Sequence, residues 1–283
     1  MTIADEFLQL MEKIGKTCKL PAVREIHIAS GDGSPDKSSK FGALVLDDDT
    51  VGLTYVGLGD TLRALQNRPE IDDWVGHSPV EVAQLYGKKE DWQRCLGMAA
   101  INAISQFVFR NSDYQFTDAG GTMDLLNLKK SDRVGMVGFF PPLVEKIRGL
   151  GVPLTVIELD PKWLQQEYDF EVTLDSSRLQ GCNKILMTGT ILINQTIDDL
   201  LVHTAGAEEI SIVGPTVGCL PDPLFRRGVT VIGGLEVLDN DRFLTLWRAQ
   251  AHWRETTRRY TLDQDNYQGF ESLLWTDNPG VVK

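Results

Sequence analysis

From Arg133 onward, short apolar runs alternate with segments that can form helices. The apolar runs are Val134–Val137, Leu154–Ile157, Lys184–Met187, Glu209–Val213 and Val229–Ile232. The intervening helical segments are Pro142–Leu150, Ser177–Gln180, Ile197–Thr204 and Pro223–Arg226. Strands that alternate with helices in this way specify a parallel sheet whose strands are joined by helical crossovers. We therefore predict an α/β domain in this half of the chain.

The chain before this alternation has a different pattern. Apolar residues at positions 3, 7, 10, 11 and 14 share one helical face, which predicts a helix over Ile3–Ile14. Further elements are expected as strands at Val23–Ala29, Phe41–Leu46 and Val51–Val56 and as helices at Val80–Tyr86 and Asp91–Arg110. By composition, the polar stretch Ser30–Ser39 is a loop. We predict a smaller α+β domain over 1–120 and the α/β domain over 121–250, and we assign no structure to 251–283.

The composition limits the classes of function. Of 283 residues, 40 are acidic and 28 basic, which gives a net charge of −12, and this field repels nucleic acid and anionic membranes. No stretch is apolar enough for a transmembrane helix, and the acidic N-terminus lacks the positive region of a signal peptide. The four cysteines lie far apart, as is typical of a reduced cytoplasmic protein. We expect a cytoplasmic protein that binds neither nucleic acid nor membrane.

A basic cluster near the C-terminus favours a subunit or domain contact over a phosphate-binding patch. Its residues are Arg248, Arg254, Arg258 and Arg259, interleaved with Trp247 and Trp253. Acidic two-domain proteins often form dimers, so we also expect a homodimer.

Each predicted strand of the α/β domain ends in a loop of small or polar residues. In a parallel sheet the carboxyl ends of the strands share one edge, where such sheets bind their ligands. The loop that follows Met187 is the most informative, since it offers hydroxyls, an amide and backbone N–H groups but no nucleophile or base. The predicted ligand-binding residues are Asn102, Gly138, Phe139, Pro141, Thr188, Gly189, Thr190, Asn194, Thr196, Gly214, Pro215 and Thr216.

Two of these residues have alternative roles. Thr196 precedes Asp199 by three residues, the spacing of a helix N-cap with a capping box, and we favour that role for it. Asn102 is a polar residue on a helix that is apolar on most sides, so its amide needs a partner. That partner is either a nearby backbone group or a ligand.

Glu158 lies twenty residues after Gly138, the spacing at which nucleotide-binding folds place an acid for ribose hydroxyls. The pyrophosphate turn is absent, because Pro141 stands where a third glycine belongs and two phenylalanines crowd the turn. NAD is therefore disfavoured, and S-adenosylmethionine is the better candidate. The four histidines show no zinc-binding spacing. A metal could still be held by Glu158 and Asp160 with a distant Cys or His.

An ordered set of segments resembles a known family. The set comprises Val134–Leu143, Thr188–Thr190, Ile193–Thr196, Val213–Thr216, Pro221, Leu224–Phe225, Arg227–Val229 and Gly233–Gly234, with Ala99–Ala103 in the first domain. Together these segments resemble the "putative heavy-metal chelation" family over about residues 5–250. The resemblance implies a Rossmann-like sheet with helices on both faces, preceded by an α+β domain similar to the N-terminal domain of enolase. It also implies a ligand site in the cleft between the two domains and a link to metal handling.

The leading hypothesis is a small-molecule protein that binds a metal ion or an anionic metal chelate in the interdomain cleft, with Glu158 and Asp160 as the charged ligands. One rival is an enzyme that uses a nucleoside-containing cofactor. Another is a non-catalytic assembly partner. Whether a reaction is catalysed stays open at this point.

Overall fold

The computed structural model describes residues 1–29, 40–118 and 127–274. The strands are β1 (Val23–Ile28), β2 (Phe41–Leu46), β3 (Val51–Tyr55), β4 (Thr117–Asp118), β5 (Val134–Val137), β6 (Leu154–Ile157), β7 (Glu171–Thr173), β8 (Lys184–Thr188), β9 (Glu209–Val213), β10 (Val231–Val237) and β11 (Thr257–Asp263). The α-helices are α1 (Ile3–Thr17), α2 (Thr61–Gln66), α3 (Pro79–Ala83), α4 (Asp91–Arg110), α5 (Pro141–Gly149), α6 (Thr190–Ile193), α7 (Ile197–Leu201), α8 (Asp222–Phe225), α9 (Asn240–Arg248) and α10 (Phe270–Leu274). None of these helices is both long and apolar enough to cross a membrane.

Eight strands form one large sheet in the order β4-β11-β10-β9-β8-β5-β6-β7. The six strands from β10 to β7 are parallel to their neighbours, whereas β11 and β4 pair antiparallel. Counted along the chain from β5, the parallel strands follow the order 3-2-1-4-5-6 of doubly wound dinucleotide-binding sheets. This confirms the predicted α/β architecture. The strand order reverses between β5 and β8, which makes that position the switch point of the sheet.

Helices cover both faces of the large sheet, because alternate strand residues point to opposite sides. Met136 and Leu186 pack with Leu143 and Ile147 of α5 in one apolar cluster. Met187, the next residue along β8, packs in the other cluster, with residues of α4, α6 and α7. The helices on both faces that the family resemblance implied are thus confirmed.

Strands β1, β2 and β3 form a separate antiparallel sheet. The β2–β3 connection is a tight turn, with Asp49 at a φ of 69°. Helix α4 lies against this sheet so closely that a Cβ at Gly52 would overlap the Ala99 carbonyl oxygen and the Ala103 backbone. On the opposite face, Val45 and other sheet residues pack with α9 and Trp253.

The sequence located most elements closely and missed several. Helix α4 and strands β5, β6 and β9 have the predicted bounds. The segment predicted as a strand from 229 to 232 instead forms β10, which extends to Val237, and the short helix predicted at 177–180 is a 3-10 helix over Ser176–Gly181. Strand β11 lies in the segment that received no assignment and joins the large sheet beside β10. The predicted loop over 30–39 lies outside the described residues.

Candidate functional site

The loops that follow β5 and β8 meet at the switch point. Gly138 ends β5 with a φ of +87°, a conformation that side chains rarely adopt, and its N–H donates to the Ile157 carbonyl at 2.9 Å. A Cβ at this position would lie 3.0 Å from Thr188 Cγ2. Glycine is therefore required both by the turn and by the contact between the two loops. Ligands of open α/β sheets bind in the crevice outside this point.

Two threonine hydroxyls stand on the β8 side of the crevice. Thr190 Oγ1 lies 3.2 Å from Thr188 Oγ1, which also receives a long hydrogen bond from the Thr190 N–H at 3.4 Å. Both side chains are half-buried. Gly189 between them donates its N–H to the Val213 carbonyl, and a Cβ there would overlap Val217 Cγ2. Glycine at this position thus lets the segment Thr188–Thr190, which we call the threonine loop, pack against the loop that follows β9.

Glu158 places a carboxylate on the β5 side. Its Oε1 accepts the Phe139 N–H at 2.6 Å, and its Oε2 lies 3.3 Å from the Leu159 N–H. The Phe139 N–H is one of the groups that could have bound an anion at this turn, and here it is already bonded. Because a carboxylate stands beside it, the turn favours a cationic or neutral ligand over a phosphate.

Asp160 has a local structural role. Its Oδ1 accepts the Lys162 N–H at 3.0 Å and so caps the 3-10 helix Pro161–Gln165, while its Oδ2 lies 2.6 Å from Lys162 Nζ. Lys162 thereby holds the pKa of the Asp160 carboxyl below its usual value. Within the described ranges, no group of three or more His, Cys, Asp and Glu side chains is arranged to hold a metal ion. Glu158 and Asp160 as metal ligands therefore stay a prediction that needs donors from elsewhere.

A cluster of aromatic rings surrounds Phe139, the residue whose N–H is bonded to Glu158. The ring of Phe139 stacks on that of Trp163, with centroids 4.6 Å apart and planes 10° from parallel. Tyr168 and Phe170 surround Phe139 at 5.6 and 6.1 Å. Phe139 is among the predicted binding residues, whereas Trp163 and Tyr168 are not. The signal for them was available, since both follow Glu158 within ten residues in the same connection.

The chain before the large sheet fixes the far end of the threonine loop. Helix α6 follows Gly189, and the carbonyl oxygens at its C-terminus have no partners within the helix. The Leu192 carbonyl accepts the Tyr86 hydroxyl at 2.7 Å, and the Ile193 carbonyl accepts Arg94 Nε at 2.7 Å. Gln195 Nε2 returns a hydrogen bond to the Tyr86 carbonyl at 2.9 Å. These contacts pin the loop without using the Thr188 and Thr190 side chains.

Asn102 and Thr216 join three elements. Asn102 Nδ2 donates to the Leu53 carbonyl at 2.6 Å and to the Thr216 carbonyl at 2.8 Å, and the Tyr55 N–H donates to Thr216 Oγ1 at 3.1 Å. Both side chains are almost fully buried. The expectation that the Asn102 amide bonds a backbone group is met by its NH₂, while its Oδ1 is buried with no partner among the described residues.

Thr196 occupies the predicted N-cap position of α7, but the predicted capping box does not form. Thr196 has helical backbone angles, with φ −82° and ψ −7°, and its side chain makes no cap hydrogen bond. Its hydroxyl instead donates to Asn194 Oδ1 at 2.9 Å, and its N–H points at the same oxygen from 3.3 Å. The chain turns sharply at Gln195, where φ is 55°, and this turn brings the two side chains together. Asn194 and Thr196 therefore bond each other locally.

The remaining predicted residues shape the backbone. Pro141 is the first residue of α5, where a missing N–H costs nothing. Gly214 has a φ of +129° and donates to the Gly233 carbonyl, while its own carbonyl accepts the Val217 N–H. Pro215 lies inside that turn, between Gly214 and Thr216. These residues place the loops around the crevice and offer no polar side chain of their own.

Comparisons with known proteins agree with this architecture. The chain is 28% identical over 178 residues to an uncharacterized protein of Methanocaldococcus jannaschii, covering 60% of this chain and 66% of that relative's length. Two crystal structures of proteins of unknown function, from one family, are similar in fold. That from Pyrococcus horikoshii has a TM-score of 0.68 at 18% identity and covers 93% of this chain and 100% of its own. That from Desulfitobacterium hafniense has a TM-score of 0.69 at 20% identity and covers 92% and 98%.

The model of that same family matches residues 121–263, which is just over half of the 283 residues. The matched segment contains the parallel strands β5 to β10 and the loops that follow them. This chain therefore belongs to the family described as "Putative heavy-metal chelation".

Proposed function

We propose that this protein binds a metal ion, or a small molecule that carries one, in the crevice between the loops that follow β5 and β8. The observation that carries the proposal is the switch point, where Gly138 lies against Thr188 and both strands end. The family description supplies the link to metal. The ligand lies where the chain before the large sheet meets the strand-end loops, and the protein works in the cytoplasm.

The charges around the crevice set the kind of ligand. Glu158 contributes a carboxylate, and the hydroxyls of Thr188 and Thr190 contribute neutral oxygens. Oxygen donors of this kind suit a hard cation or the hydroxyl and amine groups of a chelator. The sequence analysis allowed an anionic chelate, but the bonded Phe139 N–H and the adjacent carboxylate favour a neutral or cationic one. Asp160 would act as a second, outer carboxylate.

The test combines native mass spectrometry with elemental analysis of protein purified without chelators. The double substitution Thr188→Val and Thr190→Val removes both hydroxyls and keeps the branched shape of each side chain. Thr245→Val is the control, because the Thr245 hydroxyl bonds only within α9, at Asp241. We expect a stoichiometric metal in the native protein and in the control, and its loss in the double variant. A folded double variant that keeps its metal would place the site elsewhere.

A second function is favoured by the place of Glu158. It follows β6, the second strand in the 3-2-1-4-5-6 order, where dinucleotide-binding folds carry the acid that binds ribose. A nucleoside-containing cofactor is thus the alternative ligand. S-adenosylmethionine suits the site better than NAD, because the bonded Phe139 N–H is unavailable to a pyrophosphate.

The same mass measurement separates the two functions. A nucleoside-sized mass without metal, lost in Glu158→Gln, would establish the cofactor. Gln is the matched change because its amide oxygen can still accept the Phe139 N–H. A native protein with neither mass nor metal, whose crevice variants stay fully active in cells, would point to an assembly partner.

A further inference from the structure

One face of the Trp163 ring stacks on Phe139, and the other face is not stacked on any described ring. Phe139 is half-buried and contacts three aromatic rings, those of Trp163, Tyr168 and Phe170. Trp163, by contrast, stacks on Phe139 alone among the described rings, and it is half-buried too. Its other close neighbour is the Lys162 ammonium, 5.7 Å from the ring centroid. That side chain is 64% exposed and can move aside. The stack therefore ends in an aromatic face that a ligand can reach.

Three exposed leucines lie in the connections at the same edge of the sheet. Leu159, Leu164 and Leu174 are 65%, 48% and 40% exposed, and they account for three of the eight most exposed large hydrophobic residues described. All three lie in the connections that follow β6 and β7, whose carboxyl ends share the edge that carries Glu158. Exposed apolar groups that gather beside a polar crevice are typical of a ligand-binding surface.

A polar acceptor lies at the inner end of the stack. Glu158 Oε1 accepts the Phe139 N–H, and its Oε2 accepts only a long hydrogen bond from the Leu159 N–H, so Oε2 can accept a further hydrogen bond while the turn is kept. Aromatic rings prefer offset-stacked partners, and a carboxylate accepts hydrogen bonds from hydroxyl or amino groups. We propose that the Phe139–Trp163 stack is the subsite for a planar aromatic ring with hydroxyl or amino donors, held by stacking on Trp163 and by Glu158.

This inference rests on the proposed function and names the chemistry of its ligand. A catechol-type ring, which itself binds metals, and a nucleobase share this chemistry. Isothermal calorimetry with two uncharged probes, catechol and adenosine, separates the two sources. Saturable binding of catechol alone assigns a metal-binding ring, and saturable binding of adenosine alone assigns a nucleobase. If neither probe binds the native protein saturably, the inference is overturned.

Three variants test the role of the ring. Trp163→Leu keeps an apolar side chain but removes the aromatic face, so the affinity of the bound probe should fall by about tenfold or more. Trp163→Phe should restore most of the affinity, because it restores an aromatic ring. If Trp163 only filled space, the affinity would not depend on an aromatic ring at this position. Trp74→Leu is the control, since Trp74 packs against His77 before the large sheet. Equal affinity in folded Trp163→Leu and native protein would contradict the subsite.

The two experiments distinguish failure of the aromatic subsite from failure of the proposed metal site. If neither probe binds but the Thr188/Thr190 double variant loses its metal, the aromatic subsite fails and the metal site stands. If a probe binds through Trp163 but the double variant keeps its metal, the aromatic subsite stands and the metal site lies elsewhere.

Discussion

The two sides of the crevice are held in different ways. The loops that follow β8 and β9, which we call the held wall, are bonded by side chains from the chain before the large sheet, namely Tyr86, Arg94 and Asn102. The loops that follow β5 and β6, the open wall, are held by contacts within the open wall itself, such as those of Glu158 and Asp160. The held wall is thus tied to the first part of the chain, whereas the open wall carries half-buried aromatic rings and exposed leucines.

The difference changes how polar residues in a strand-end loop are interpreted. Asn102, Thr216, Asn194 and Thr196 were all predicted as ligand contacts, yet each one bonds another part of the protein. A buried polar group costs free energy unless it is hydrogen-bonded, so a tightly packed loop uses its own polar side chains first. Under the proposed function, the ligand is bound chiefly by Thr188, Thr190 and Glu158, at the boundary between the two walls.

The largest effect is expected from Asn102→Leu, which leaves the buried carbonyls of Leu53 and Thr216 without their donor. We expect the free energy of unfolding to fall by about 2–4 kcal/mol, because each unsatisfied carbonyl is costly while the loss of the unpartnered Oδ1 offsets part of the change. Urea unfolding measures it. The matched variant Asn194→Ala breaks only the local contact with Thr196 and should cost less than about 1 kcal/mol. Equal losses would show that Asn102 does not tie the held wall.

Glycine substitutions compare the packing of the two walls. Gly189→Ala in the held wall forces a Cβ into Val217 and should lower the free energy of unfolding by about 1–3 kcal/mol. Gly149→Ala, at the end of α5 behind the open wall, meets no atom within 4 Å and should raise it by roughly 0.5 kcal/mol. Thermal unfolding of both variants checks the signs. A neutral Gly189→Ala would mean that the two loops are less tightly packed than described.

A pair of tyrosines tests the hydrogen bonds alone. Tyr86→Phe removes the buried bond to the Leu192 carbonyl and should cost about 1–2 kcal/mol. Tyr168→Phe removes an exposed bond to Gln166 in the open wall and should be close to neutral. Hydrogen exchange at α6 gives a second readout, since opening of this helix should become easier only in Tyr86→Phe. Similar exchange rates in both variants would show that the Tyr86 hydroxyl does not stabilise α6.

The smallest effect is expected in acid. Burial by itself would raise the pKa of Glu6, but hydrogen bonds from Arg227 and Arg226 outweigh it and hold this pKa below 4.5. A carboxyl with a lowered folded pKa stabilises the protein above its unfolded value and loses that contribution as pH falls through the folded pKa. We therefore expect Glu6→Gln to lower the free energy of unfolding by about 1 kcal/mol at neutral pH. Below pH 4.5 the free energy of unfolding should decrease less steeply in this variant than in the native protein.

Asp160→Asn is the comparison for Glu6→Gln. Lys162 also lowers the pKa of Asp160, but this pair is exposed to solvent, which screens it. Melting temperatures from neutral pH to pH 3 should change less in Asp160→Asn than in Glu6→Gln. The reverse order would contradict the idea that the Glu6 ion pairs with Arg226 and Arg227 stabilise the protein more than the exposed Asp160–Lys162 pair does.

The parallel strands and α4 could be predicted from sequence because their signals are local. A run such as Val134–Val137 is apolar throughout, and α4 is apolar on most faces. Strand β11 carries Arg258 and Arg259 as its second and third residues, and these two belong to the basic cluster that the sequence predicts at a subunit or domain contact. In the fold, Arg258 pairs with Glu236 of the neighbouring β10, a partner that becomes visible only when the strands are paired.

The strand-end loops were predicted in place, but the contacts that their residues make were not. The glycines and threonines at the strand ends follow from the rule that parallel strands end at one edge. The roles of Asn102 and Thr216 depend on contacts between residues more than 100 positions apart, which spacing along the chain cannot show. The aromatic stack was missed for a related reason, since Phe139 and Trp163 lie in the connections after two different strands.

The burial of α4 has a consequence for how the chain folds. Fourteen of its twenty residues are buried, and the partners that cover them include loops that follow β8 and β9, about 100 residues later in the chain. During synthesis the first 110 residues therefore emerge with an apolar helix that has only part of its cover. Contacts between distant segments form slowly, because a long loop must close before they can form. A chain truncated before β8 would leave that helix exposed and prone to aggregate, so completion of the nascent chain is itself a step in folding its first part.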